Sequence, residues 1–271
     1  MLYTDQLGNG VWLPAPPRRV ISVVPSQTEL LFDLGVGEYV VGITKFCTRP
    51  KTWRQAKKRV GGTKNLDFAA IEALEPDLII ANKEENTKSE IEALQQICPV
   101  WLSDIYNLPD ALMMIKSVGA FWQNSEIMAR ANELAEKIER AFAALAQNEK
   151  KPLRAAYFIW REPFMVAASE TFITDMMQRA GFQNAFGGLS RYPVVSAEEI
   201  AKADLDVILL SSEPYPFAAK HVAEFAELCP DTPIEIVDGE LFSWYGTRLQ
   251  YSPAYFADLY ARVATQIKKV G

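Results

Sequence analysis

The chain has 271 residues, 49% hydrophobic and 23% charged with 14 Gly and 16 Pro, which suits one large or two ordinary domains and excludes disordered, collagen-like and low-complexity classes. There are 28 Lys and Arg against 34 Asp and Glu, a net charge of −6 with no basic surplus to neutralise phosphates, so nucleic acid is not an expected partner. No apolar run approaches the roughly 18 residues of a membrane span, and the first ten residues lack the charged-then-apolar order of a signal peptide, so a soluble globular chain is expected.

Leu2 to Asp5 and Val11 to Leu13 flank Gly8-Asn9-Gly10, the pattern of a hairpin, and Pro14, Pro16 and Pro17 end it. Arg19 to Val24 is an apolar run of buried-strand type, and Pro25-Ser26-Gln27-Thr28 opens a helix that stops at Gly35. Val40 to Thr44 reads as a second strand, followed by an irregular stretch. Asp67 to Leu74 and Ser89 to Gln96 read as helices, while Asp77 to Ala81 and Val100 to Leu102 read as strands.

Between Gly119 and Pro152 there is neither Gly nor Pro, and apolar residues recur at Ile127, Ala131, Leu134, Ile138, Phe142 and Leu145. This predicts a long amphipathic helix of about 22 residues, roughly 33 Å, within 125–148. Strand and helix then alternate again from Arg154 to Trp160. The expected organisation is an N-terminal α/β lobe (1–122), a bridging helical segment (123–150) and a C-terminal α/β lobe (151–271).

The second half echoes the first. At a constant offset of 129, Asp77 falls on Asp206, the run Leu78 to Ala81 on Val207 to Leu210, and Glu84 on Glu213, with Cys98-Pro99 near Cys229-Pro230. That register favours a duplication.

His221 is the one histidine, and Cys47, Cys98 and Cys229 stand in no metal-ligand spacing, which argues against zinc ligation and His-based nucleophilic catalysis. His221 lies in a helical pattern and is expected on a solvated face. No disulfide is expected.

The opening YTDQLGNGVWLPAPPRRVISVVPSQTELLFDLGV, then VGGTKNLDFAAIEALEPDLIIA, the central helix and FGG with VVSAEEIAKADLDVILLS resemble the substrate-binding components of ABC importers for cobalamin and iron-siderophores. The resemblance runs from about residue 3 to 260. It implies an α/β fold of two Rossmann-like lobes bridged by one long α-helix, with the ligand in a cleft between lobes. It also implies a monomeric binding protein, not an enzyme, that hands a metal chelate to a transporter permease in the periplasm or at the cell surface. No resident cofactor is implied.

In open parallel sheets, ligands bind outside the carboxyl ends of the strands. Phe46, Trp160, Tyr192 and Tyr215 stand in polar or proline-rich loops near such ends, and Phe242, Trp244, Tyr245 and Arg248 belong to the segment FSWYGTR. Wide apolar faces with a few polar groups suit a large flat ligand, and Arg161 is a candidate partner for carboxylate or phosphate. Tyr255, Phe256 and Tyr260 recur at helical spacing and read as core.

The resemblance carries Pro25, Ser26, Gln27 and Thr28 over as cleft wall, with Trp244 and Arg248 in an aromatic-and-arginine loop. Where cobalamin binders have tryptophan after the third strand this chain has Asn82, which departs from the cobalamin pattern. Glu84 and Glu213 are the candidate docking acids, one per lobe, with Glu85 a substitute for Glu84. The central helix is expected to limit lobe motion. The alternatives are an enzyme acting on a cofactor or metallocluster, through carboxylates such as Asp104, Asp238 and Glu240, and bare-metal binding through carboxylates and Cys47.

Overall fold

Short apolar runs buried along their whole length belong in parallel sheets covered on both faces. The computed structural model, which describes residues 1–147 and 150–270, places such runs at the centre of two sheets. Strands β1 (Leu2–Thr4) and β2 (Gly10–Trp12) form an antiparallel hairpin. Strands β3 (Val20–Ser22), β4 (Val40–Ile43), β5 (Lys58–Arg59), β6 (Leu78–Asn82) and β7 (Val100–Ser103) make a parallel sheet in the order β5-β4-β3-β6-β7. Strands β8 (Leu153–Trp160), β9 (Met165–Val166), β10 (Phe182–Asn184), β11 (Val207–Ser211) and β12 (Ile234–Val237) make the other, ordered β10-β8-β11-β12, with β9 antiparallel on β8.

The chain divides into two compact units. The first comprises Met1–Ile105, Pro109–Lys137 and Tyr245–Thr247; the second comprises Tyr106–Leu108, Ile138–Trp244 and the residues from Arg248 on.

The 129-residue offset is structural as well as sequential. Asp67 and Ser196 cap the helices before β6 and β11, accepting from Ala70 N at 3.0 Å and Glu199 N at 3.2 Å. Glu75 (φ 44°) and Asp204 (φ 51°) both turn the chain in the left-handed region. Asp77 then accepts from the backbone N of Arg18 and Arg19, at 2.7 and 2.9 Å, and Asp206 from that of Arg154 at 2.7 Å. Each arginine returns the link, Arg19 Nε to Leu74 O and Arg154 Nε to Ala203 O, both at 2.8 Å. The stitch fixes the start of β6 against β3 in one sheet and of β11 against β8 in the other. Bonds to a charged acceptor contribute about 1.5–3 kcal/mol each.

The helix Ser125–Ala146 has 22 residues. Ile127, Ala131, Ala135, Ile138, Phe142 and Leu145 are its buried stripe. Leu134, expected in that stripe, is half-buried, and Ala135 takes the core position. Residues to Lys137 lie in the first unit and those from Ile138 in the second. Asn148, where the predicted helix ends, and Glu149, in the predicted bridging segment, lie outside the described residues. A Cβ at Gly119, in the helix Leu108–Ala120, would collide with that of Ala131, so the missing side chain sets how closely the two helices approach.

Strands β5, β9 and β10 carry too little apolar pattern to be anticipated. Among the described residues no helix is long and apolar enough to cross a membrane.

His221 corrects the sequence expectation: it is buried, not on a solvated face. Its Nδ1 accepts from Ala218 N at 2.9 Å and its Nε2 lies 3.2 Å from Tyr215 Oη. The imidazole thus caps the helix Ala219–Leu228, at whose start no Ser, Thr, Asn or Asp is available. The three cysteines are buried free thiols. Burial, with Asp77 adding to it, pushes the Cys98 thiol up to about 12, and burial also raises Cys47 and Cys229.

Candidate functional site

In the first unit the carboxyl ends of the strands are wired by polar side chains. Thr28 Oγ1 donates to Ser22 Oγ at 2.8 Å and to Val24 O at 2.9 Å, and lies 3.0 Å from Cys47 Sγ, which Thr44 Oγ1 approaches at 3.2 Å. Gln27 Nε2 donates to Ser103 Oγ, and Asn82 Nδ2 donates to the same oxygen at 3.0 Å. Asn82 Oδ1 accepts from the backbone N of Glu84 and Glu85, at 2.9 and 3.0 Å, so the residue standing where a tryptophan was sought folds the loop after β6. Gln27 and Thr28 are fully buried and Ser26 nearly so. Of the predicted wall residues only Pro25 is even half-exposed; the other three hold the strand ends in place.

Phe46 is different. It is 51% exposed at the end of β4, with Lys45 Nζ 5.1 Å from its ring centroid. Tyr245-Gly246-Thr247 also belongs to this unit, and a Cβ at Gly246 would stand 3.1 Å from Ser26 O. Tyr245 is buried.

In the second unit Trp160 is 40% exposed at the end of β8, its ring edge-on to Tyr215 with centroids 5.5 Å apart. Tyr215 in turn meets Phe217 and His221 edge-on, at 4.8 and 5.3 Å. Arg161 is committed locally: its Nε lies 2.5 Å from Glu224 Oε2 and its Nη1 2.7 Å from Glu162 Oε1. Its carboxylate partners are therefore within the chain.

The segment FSWYGTR also departs from expectation. Phe242 is fully buried against Tyr157 and Phe256 and is core. Trp244 is buried, its Nε1 donating to Glu213 Oε1 at 2.9 Å, and Arg248 lies over its ring at 5.6 Å while pairing with Glu240 at 3.0 Å. Ser243 Oγ donates to the same Glu213 oxygen at 2.7 Å. Loss of solvent pushes the Glu213 carboxyl above the usual range, against the pull of the Ser243 and Trp244 hydrogen bonds, with Glu240 adding to the rise. Glu213, expected to face a transporter, is a latch for this segment. Phe256 is fully buried, as its helical spacing predicts.

Cys47 has hydroxyl partners, and among the described residues no group of three or more His, Cys, Asp or Glu is placed to hold a metal ion.

The sequence matches the family described as periplasmic binding protein over residues 20–227. The chain belongs to that family. Among curated relatives, the vitamin B12-binding protein of Vibrio vulnificus (strain CMCP6) is 29% identical over 189 residues, 69% of this chain and 68% of that protein. The vitamin B12-binding protein of Pectobacterium carotovorum is 25% identical over 240 residues, 87% of this chain and 85% of that protein. Among solved structures, the periplasmic vitamin B12 binding protein BtuF of Vibrio cholerae superposes with a TM-score of 0.77 at 22% identity, covering 95% of this chain and 99% of that one. The periplasmic heme-binding protein RhuT of Roseiflexus sp. RS-1 gives 0.78 at 23%, covering 92% and 99%. These two likenesses establish the shared two-lobe α/β fold, with its long central helix.

At the carboxyl ends of the two five-stranded sheets the exposed aromatics are Phe46 and Trp160, with Tyr215 and Tyr192 half-buried. Tyr192 belongs to a group that the sequence did not disclose. Arg191 Cζ lies 5.8 Å from the ring centroids of both Tyr192 and Tyr106, and Tyr106 comes from a loop far away in sequence. The only signal was the dipeptide Arg191-Tyr192 ahead of a proline.

Proposed function

We propose that this chain is the substrate-binding component of an ABC importer, capturing a metal chelate of cobalamin or iron-siderophore type and delivering it to a permease outside the cytoplasm. The observation that carries the reading is that a member of the periplasmic binding protein family keeps Phe46 and Trp160 exposed at the carboxyl ends of its two parallel sheets, where ligands of open α/β sheets are received. Relatives named for vitamin B12 binding support it, as do fold neighbours named for vitamin B12, heme and an Fe3+-hydroxamate transport system. The protein works as a monomer and does no chemistry on its ligand. Glu84 is the docking acid of the first unit, with Glu85 beside it; in the second unit the latched Glu213 leaves that role to another acid.

The test is a tryptophan-fluorescence titration of the full chain with cyanocobalamin, hemin and a panel of ferric siderophores. Trp160, half in solvent, is the expected reporter, and at least one of these chelates quenches it saturably. Absence of quenching and of any calorimetric signal with all of them overturns the reading.

A further inference from the structure

We infer that the surface of the first unit carried by residues 51–64 docks peripherally on a membrane face of anionic phospholipid headgroups. The inference uses neither Phe46 nor Trp160, so it stands or falls independently of the ligand.

Between Glu38 and Asp67 there are eight Lys or Arg and no Asp or Glu, whereas the rest of the chain holds 20 Lys and Arg against 34 acids. A chain of net charge −6 thus carries one cationic stretch. Salt screens charges beyond about 8 Å, so an approaching surface responds to this stretch rather than to the total. Lys51, Arg54, Lys58, Arg59 and Lys64 are exposed, and among the described residues none of the five pairs with a carboxylate. Exposed cations elsewhere are balanced, Lys88 by Glu92, Lys202 by Glu198 and Arg262 by Asp258. Charge on β5 also serves to blunt the open edge of its sheet. That accounts for Lys58 and Arg59 and leaves the other three unexplained.

The cations sit on a fixed backbone. Trp53, in the short helix Trp53–Ala56, is buried, and a Cβ at Gly37 would stand 2.7 Å from its ring. Lys57 covers that ring at 5.2 Å and donates from Nζ to Gly37 O at 2.6 Å. Arg59 Nη2 reaches back to Arg54 O at 3.4 Å, which draws strand and helix together. Val60 N donates to Ile43 O at 3.0 Å and Gly62 N to Asn65 O at 2.8 Å, closing the turn that carries Lys64. Lys45, over the Phe46 ring, belongs to the strand-end site instead.

Two observations favour lipid over an acidic protein face. Phe32, 44% exposed, meets the Trp53 ring edge-on at 5.5 Å, so an apolar ring stands beside the cations, the composition of surfaces that rest on a bilayer interface. Three of the five cations are lysines, point charges on flexible stems that suit a diffuse layer of headgroup phosphates better than a fixed bidentate geometry.

The test is co-sedimentation of the full chain with vesicles of phosphatidylcholine and phosphatidylglycerol in equal parts, and with vesicles of phosphatidylcholine alone. The wild type is expected to partition onto the anionic vesicles about tenfold or more above the neutral ones, less so as salt rises. Lys51→Gln combined with Arg54→Gln and Lys58→Gln should lose about tenfold or more, since each cation near such a surface contributes about fivefold. Lys88→Gln combined with Lys202→Gln and Lys220→Gln makes the same change in net charge on other exposed positions and should bind as the wild type does. Thermal midpoints verify that both triple variants are folded, and the first should keep the wild-type response to ligand. Equal losses in the two triple variants, or none in the first, overturn the inference, as does absence of binding to anionic vesicles at low salt. Retention on poly-L-glutamate without binding to the vesicles also overturns it, in favour of an acidic protein face.

Discussion

Glu84 and Glu213 occupy the same place in the two halves of the repeat, and the chain uses them differently. Glu84 follows β6 and Glu213 follows β11, and each has its backbone N held by the strand's last residue, Asn82 Oδ1 at 2.9 Å in one half and Ser211 Oγ at 3.4 Å in the other. Beyond that turn the resemblance stops. Glu213 reaches Ser243 and Trp244, tying the strand end to a segment thirty residues on, and Glu84 belongs to a loop that Asn82 and Asn86 fold on itself. A duplication preserves what the strand and its turn dictate. What a side chain then does depends on the segment that arrives over it, which is free to diverge.

The strongest way to break the contrast is to cut into the second unit's segment. Phe242→Ala should destabilise by about 3–5 kcal/mol, read by chemical denaturation, because a fully buried aromatic leaves a cavity; a cost below 1 kcal/mol would mean that the segment is not core. The shared stitch sharpens the other side. Asp77→Asn and Asp206→Asn should each cost about 1–3 kcal/mol, and a large cost in one with none in the other would show that the two halves no longer rely on it equally.

Glu213 gives a smaller, pH-dependent effect. Its folded carboxyl is raised, so the folded chain holds this proton to higher pH than the unfolded chain does, and the contribution to stability is fully present below the ordinary value of 4.5 and lost as pH rises through the raised one. Relative to Glu213→Gln, the wild-type melting temperature should fall as pH climbs through that window; parallel curves from pH 4 to 8 would remove Glu213 as a buried latch. The smallest expected effect on stability is at the equivalent position: Glu84→Ala should shift it by about 1 kcal/mol or less and leave ligand affinity intact while lowering uptake of the ligand by cells. Unchanged uptake in Glu84→Ala combined with Glu85→Ala would count against docking.

The strands β3, β6 and β11 were legible because a run buried on both faces writes itself as consecutive apolar residues. The duplication was legible because Asp77 and Asp206 must stand where they do to close the same stitch. Most of the proposed ligand wall was not. The loop positions of Trp244 and Arg248 look like open binding residues until Glu213 and Glu240 are brought under them, and those acids are chosen by the fold. His221 was misjudged because its pattern is that of an ordinary helix, whereas its ring turns back to cap the first turn. Tyr106 and Arg191 meet only through tertiary structure, so no local pattern could pair them.

The assignment of Tyr245–Thr247 to the first unit bears on how the molecule is assembled. A chain made from its amino end has every strand of the first sheet before any strand of the second, and domains ordinarily fold in that order during synthesis. Here the piece beside Ser26 is encoded near the far end. One tripeptide of the first unit is therefore made only after most of the second has emerged, so the two units share a chain end that neither completes by itself.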